Sequence, residues 1–163
     1  MLFTLSISNS DAAHKRALDE TGYWGRRGAG CVVQCTSTGR LLMPLRSENV
    51  QEPNTWGTWG GAIDDGESPK SAALRELREE SSYQGEILSM DKLYVYVDGT
   101  FTYTTFLVKV PVEFSARFAD GETQKAKWTA LDNMPKNLHK GMRAILGDSK
   151  ARKMLHAITF NPR

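Results

Sequence analysis

The chain is poor in cysteine, with only Cys31 and Cys35 among its 163 residues. Both stand in GAGCVVQCTSTG, which reads as a strand, and four residues of strand separate two Cα atoms by roughly 13 Å. That exceeds the reach of a disulfide, about 7 Å, so the two are not expected to pair. With no His nearby and no further cysteine, they also make a poor zinc site. Two reduced thiols fit a cytoplasmic setting. Long apolar runs are missing as well, since nothing approaches the ~18 residues of a membrane span. The opening MLFTLSISNSDAAHKRALDE has no basic leader and reaches acidic residues quickly, unlike a signal peptide. An excess of one charge is absent too. The 21 basic and 19 acidic residues leave a formal charge of +2, too little to argue for an extended nucleic-acid groove or a membrane surface. There is no internal repeat, low-complexity tract or linker.

What is present suits one packed domain spanning 1–163: 40% hydrophobic and 25% charged residues. Residues 1–27 read as an N-terminal arm, with a short helix or ordered segment over 11–20. GCVVQCT and RLLMPLR read as two strands joined by a turn at Ser37–Gly39, with Pro44 demoting the second to an edge or shortening it. Residues 47–61 read as a long polar loop. KLYVYVDG and TFTYTTFLVKV form a hairpin signal around DGT, and AKWTALDNMP a further strand. Residues 136–160 have helical spacing, broken near Gly147. The pattern implies an α/β fold, a mixed sheet with helices on its faces.

The distinctive stretch is SPKSAALRELREESSY, residues 68–83. Ser68 is a good N-cap and Pro69 suits the first helical position. Ala72, Ala73, Leu74 and Leu77 supply an apolar stripe. Relative to Glu76, Glu79 lies about 60° behind and Glu80 about 40° ahead, so three carboxylates share one face. Like charges at this spacing destabilise a helix by a few tenths of a kcal/mol per pair. Such a face is either spent on water or neutralised. Hard divalent cations such as Mg²⁺ take oxygen ligands, a few carboxylates among them, and would neutralise it.

The spacing around these acids is also specific. Five residues separate Gly61 from Glu67, seven more separate Glu67 from Arg75, and RELREE follows. Gly61, Glu67, Arg75, Glu76, Leu77, Glu79, Glu80 and an apolar Tyr83 resemble the Nudix box, residues 61–83. Ser82 departs from it, standing where the family has glycine. Serine there either takes a left-handed helix end at a cost of about 1 kcal/mol or lets the helix run on to Gly85.

The resemblance implies a Nudix-type α/β/α sandwich with the catalytic helix on one face, and a Mg²⁺- or Mn²⁺-dependent pyrophosphohydrolase. It implies metal ligation by Glu76, Glu79 and Glu80 with the carbonyl of Gly60. For Glu76, positioning or proton transfer stays open beside ligation. Arg75 would orient a carboxylate, and Glu67 would brace the loop. A glutamate in the loop before a Trp-bearing strand recurs in the family, making Glu122 a candidate ligand or base, with Glu113 and Asp120 as competitors.

The implied substrate is a nucleoside diphosphate joined to another group: ADP-ribose, a dinucleoside polyphosphate or a nucleoside triphosphate. An RNA 5′ end is the alternative, and a non-catalytic nucleotide sensor is a third. Arg46, Trp59 and Tyr103 are candidate substrate contacts, with Trp56, Tyr94, Tyr96 and Phe101 as further aromatics. Arg26 and Arg27 could meet phosphate or belong to a solvated turn. A homodimer is left open.

Overall fold

The structure, a computed structural model, describes residues 9–118 and 121–157. In chain order the elements are α1 (Asn9–Thr21), β1 (Arg27–Cys35), β2 (Leu41–Arg46), β3 (Trp59–Ala62), α2 (Pro69–Ser81), β4 (Ser89–Asp98), β5 (Phe101–Val110), β6 (Thr123–Thr129), α3 (Lys140–Gly147) and α4 (Ser149–His156). One mixed sheet runs β4-β5-β1-β2-β6, with β3 added beside β1.

β1 is the organising strand. One edge pairs in parallel with β5 from Arg27↔Thr102 to Cys35↔Val110. The other edge is shared between two antiparallel partners. Its C-terminal half pairs with β2 at Val33↔Leu42 and Gln34↔Leu41. Its N-terminal half pairs with β3 from Gly28↔Ala62 to Cys31↔Trp59. β2 and β3 therefore diverge, and the chain from 47 to 58 bridges the fork.

This fork corrects the reading of Pro44 as an edge marker, because β2 lies inside the sheet between β1 and β6. The proline is tolerated because β1 has left β2 before Pro44. On its other side Pro44 lies opposite Ala126, and its carbonyl accepts the Gly57 N–H at 3.0 Å. The long loop read over 47–61 also ends earlier than expected, since Trp59–Ala62 is the strand β3.

Alternation along β1 and β5 sends side chains to two faces. Cys31, Val33, Trp59, Phe106 and Val108 pack under Ala72, Ala73 and Leu77 of α2. Val32, Leu41, Met43 and Leu107 pack under Met142 and Ile145 of α3 and Leu155 of α4. The result is an α/β/α sandwich. Both cysteines are buried and unpaired. The expected arm contains α1, with residues 1–8 outside the described ones. Within the expected C-terminal segment two helices meet at Asp148, which ends α3 and caps α4 by accepting the Ala151 N–H at 2.8 Å. Residues 158–160 lie outside the described ones. Among the described residues no helix is long and apolar enough to cross a membrane.

Candidate active site

α2 begins as its sequence dictates. Ser68 Oγ accepts the Ser71 N–H at 3.1 Å, with Pro69 at the first position. It ends at Ser82, which takes the left-handed conformation (φ 60°, ψ 19°) and donates its N–H to Arg78 O at 2.9 Å. The helix does not extend to Gly85. Ser82 Oγ donates to Arg117 O at 3.1 Å, which helps hold the serine in a conformation that otherwise suits glycine.

The three acids of α2 have different surroundings. Glu80 is 5% exposed, and its Oε1 accepts the Gly60 N–H at 3.0 Å. Glu76 lies against the backbone of β3, where a Cβ on Gly61 would fall 2.6 Å from Glu76 Oε1. Gly61 therefore has a steric reason, because any side chain there would displace a carboxylate. Glu79 is more exposed and pairs with Arg75 at 3.2 Å.

Arg75 is the hub. Its Nε and Nη2 donate to Glu67 Oε2 and Oε1 at 2.8 and 2.9 Å, a bidentate fork. Its Nη1 reaches Glu76 Oε1 at 3.0 Å, and Nη2 also donates to Ala62 O at 3.1 Å. Asp64 lies 3.5 Å away. Glu67 accepts the Asp64 N–H at 3.1 Å as well. It thus ties the loop before α2 to the helix.

These contacts set the electrostatics. Hydrogen bonding from Arg75 holds the Glu67 carboxyl below its usual range. Burial, then the adjoining Glu76, pushes Glu80 well above it. Burial also raises Glu76, against the pull of Arg75. A buried Glu80 beside a largely buried Glu76, with the Arg75 guanidinium reaching Glu76, is short of positive charge. That shortage and the all-oxygen donor set fit a hard divalent cation. Among the described residues no three ligand-type side chains already converge as a cage; Glu79 is turned to Arg75.

A cleft of about 710 Å³ opens beside this pair, within the fork of β2 and β3. Its lining includes Gly60, Gly61, Arg75, Glu76, Glu80, Arg46, Tyr103 and Glu122, together with Tyr94, Tyr96 and Phe101. Tyr103 lies across Gly28, Gly30 and Gly60. A Cβ on Gly30 would fall 2.3 Å from its hydroxyl, and one on Gly60 2.0 Å from it. Burial raises the Tyr103 hydroxyl well above its usual range, with Glu80 adding to the effect. Glu122 acts in the same sense on Glu80 through its charge.

Other candidates fall elsewhere. Trp59 does not line the cleft; it is fully buried under α2, with its Nε1–H donated to Leu42 O at 3.0 Å. Alternation in β3 turns its side chain away from the face that Tyr103 occupies. Trp56 is buried in the opposite core layer. Arg26 pairs with Glu20 at 2.5 Å on the surface. Glu113 pairs with Arg40 across Oε1 and Nε at 2.6 Å. Asp120 lies outside the described residues. Sequence reasoning missed Asp64, the contributions of α1 through Asp11 and His14, and the pair Glu52–His139, all of which line the cleft. None carried a local signal, because the fork of β2 and β3 brings them together.

Comparison with known proteins agrees with this geometry. The NUDIX domain family matches residues 24–148, and the chain belongs to the Nudix family. Members of the family are generally dependent on a divalent metal and act on nucleoside diphosphate-linked compounds. A nucleoside triphosphate pyrophosphatase/Nudix hydrolase fusion protein of Bifidobacterium longum is 32% identical over 123 residues, covering 69% of this chain and 25% of that protein. The ADP-sugar pyrophosphatase of Mus musculus is 44% identical over 52 residues, covering 32% of this chain and 24% of that protein. The matched segments thus span about a quarter of each relative. In fold, the chain is similar to RenU, a Nudix hydrolase of M. smegmatis, with a TM-score of 0.65 and 21% identity over 86% of this chain and 92% of that one.

Proposed function

We propose that the chain hydrolyses the diphosphate bridge of a small nucleoside diphosphate derivative, with Mg²⁺ or Mn²⁺ held by Glu76, Glu79, Glu80 and the Gly60 carbonyl. The observation that carries this reading is the charge-deficient pair of buried Glu80 and largely buried Glu76 on the cleft wall. When bound, a divalent cation offsets phosphate charge and lowers the pKa of a water. The chain's own groups prepare that step. Arg75 fixes Glu67 and Glu76, and the Gly60 N–H fixes Glu80. Glu122, on the cleft wall near Glu80, is the candidate base or further ligand. Arg46, suited to phosphate, and Tyr103 are the candidate substrate contacts on the cleft wall.

The size of the cleft, about 710 Å³, supports a small molecule over an RNA 5′ end, since pockets for small ligands span roughly 300–1,000 Å³. The test incubates the purified protein with Mg²⁺ or Mn²⁺ and ADP-ribose, an ADP-sugar, a dinucleoside polyphosphate, nucleoside triphosphates and 5′-triphosphorylated RNA, following released nucleotides and phosphate. Metal-dependent cleavage of one or more of the small molecules is expected. Cleavage of the RNA alone, or binding without turnover across the panel, would overturn the proposal.

A further inference from the structure

We infer that Glu52, seated against His139, reads a hydrogen-bond donor on the organic group attached to the diphosphate, a sugar hydroxyl or a base N–H. The inference rests on the proposed function for the position of the diphosphate, beside α2.

Glu52 lies in the segment that bridges β2 and β3, and both it and His139 line the cleft. Its backbone is left-handed, with φ 48°, as is that of Asn54, with φ 58°. Such conformations are costly for residues other than glycine and persist where the surroundings impose them. Here the surroundings are a dense set of braces. Thr55 Oγ1 donates to Glu52 O at 2.7 Å, and Arg46 Nε to Gln51 O at 2.7 Å. Asn137 Nδ2 donates to Asn54 O, and Gln124 Nε2 to Asn54 Oδ1, both at 2.5 Å. The position of Glu52 is thus fixed by groups from β2, β6 and the segment before α3.

The side chain is fixed as well. His139 Nδ1 accepts the Gly141 N–H at 3.0 Å, so the proton of a neutral imidazole is on Nε2. That nitrogen lies 2.5 Å from Glu52 Oε2. The direction falls short of a well-aligned hydrogen bond, and Oε2 is sealed from solvent. Yet the Glu52 side chain as a whole is 34% exposed. With Oε2 sealed against His139 and Glu52 lining the cleft, Oε1 is the oxygen this inference assigns as acceptor.

What this oxygen can meet follows from charge. A carboxylate repels phosphate, so the Glu52 stretch of the cleft suits a neutral donor and not the diphosphate. Arg46 and Lys140, which line the same cleft, are the groups suited to anions. A purely structural Glu52 would brace the loop and leave ligand preference unchanged.

The experiment separates these roles. Binding of α,β-methylene ADP, its 2′-deoxy and 3′-deoxy forms and the inosine and guanosine counterparts is measured by calorimetry with Mg²⁺, for the native chain and for Glu52→Gln and Glu52→Ala. The sugar series and the base series distinguish the two sources of the donor. Removal of the recognised donor should weaken native binding about tenfold. Glu52→Ala should bind the parent and the depleted analogue alike, with Glu52→Gln between, because the amide oxygen still accepts. Loss of the donor preference without loss of the thermal transition excludes mere bracing. A preference that survives in Glu52→Ala, equal native binding of every analogue, or no binding at all would each overturn the inference. Native turnover of the hydrolysable parents is read separately, so an inert protein that still discriminates would sink the hydrolase reading and leave this one standing.

Discussion

Arg75 and Glu67 meet fork to fork, with N–O distances of 2.8 and 2.9 Å, and join the loop before α2 to the helix that carries the acids. Both side chains are mostly buried, so the pair is only weakly screened by solvent. Charge-assisted bonds of this kind contribute about 1.5–3 kcal/mol. A double-mutant cycle with Arg75→Ala and Glu67→Ala should return a coupling of about 1–3 kcal/mol in urea unfolding. Additive effects would mean that the fork does not hold the loop.

Glu80 and Glu76 carry the opposite sign. Their carboxyls titrate above the ordinary range, so stability is lost as pH rises and both ionise. Glu80→Gln should therefore raise the melting temperature of the metal-free protein. Mg²⁺ or Mn²⁺ should stabilise the native chain, by about 2.7 kcal/mol at a hundredfold excess over Kd, and stabilise Glu80→Gln far less. Equal metal-induced shifts in calorimetric melting would count against Glu80 as a ligand.

His139 predicts a separate pH effect. Burial, aided by Arg46, Lys140 and Arg143 and opposed by Glu52, lowers its pKa from 6.5 to about 4. Between these values the unfolded chain binds more protons than the folded one. The contribution is fully present above about pH 6.5 and is lost as pH falls toward 4. Its size is up to about 3 kcal/mol. His139→Asn retains a residue able to cap α3 and should lose less stability than the native chain between pH 7.5 and 4.5 in urea titrations. Parallel losses would refute the assignment.

Trp59 tests the division between core and cleft. As a fully buried residue, Trp59→Ala should cost roughly 3–5 kcal/mol. Tyr103→Phe should leave the fold intact and change substrate KM. A stable Trp59→Ala with a KM defect alone would place the indole at the ligand.

Much of the site was legible because its order is local. Ser68, Pro69 and the apolar stripe specify α2, and a helical turn alone puts Glu76, Glu79 and Glu80 on one side. The hairpin of β4 and β5 was legible from alternation and from Gly99, which takes φ 58°. What escaped depends on contacts distant in sequence. β1 divides its edge between β2 and β3, which lets Pro44 sit in an inner strand and places Trp59 under α2. The same division brings Glu52 to His139, 87 positions apart in the chain. The four-residue strand β3 is half glycine, a composition that reads as loop until its partner β1 is known.

The most direct test is the initial rate of diphosphate hydrolysis against Mg²⁺ concentration for the native chain, Glu79→Gln and Glu80→Gln, on the best substrate of the panel. We expect no rate in chelator, a saturable rise with Mg²⁺, and a fall of about two orders of magnitude or more in each variant at equal metal. Native rates in chelator, or unchanged rates in both variants, would contradict a metal-bearing acidic face on α2.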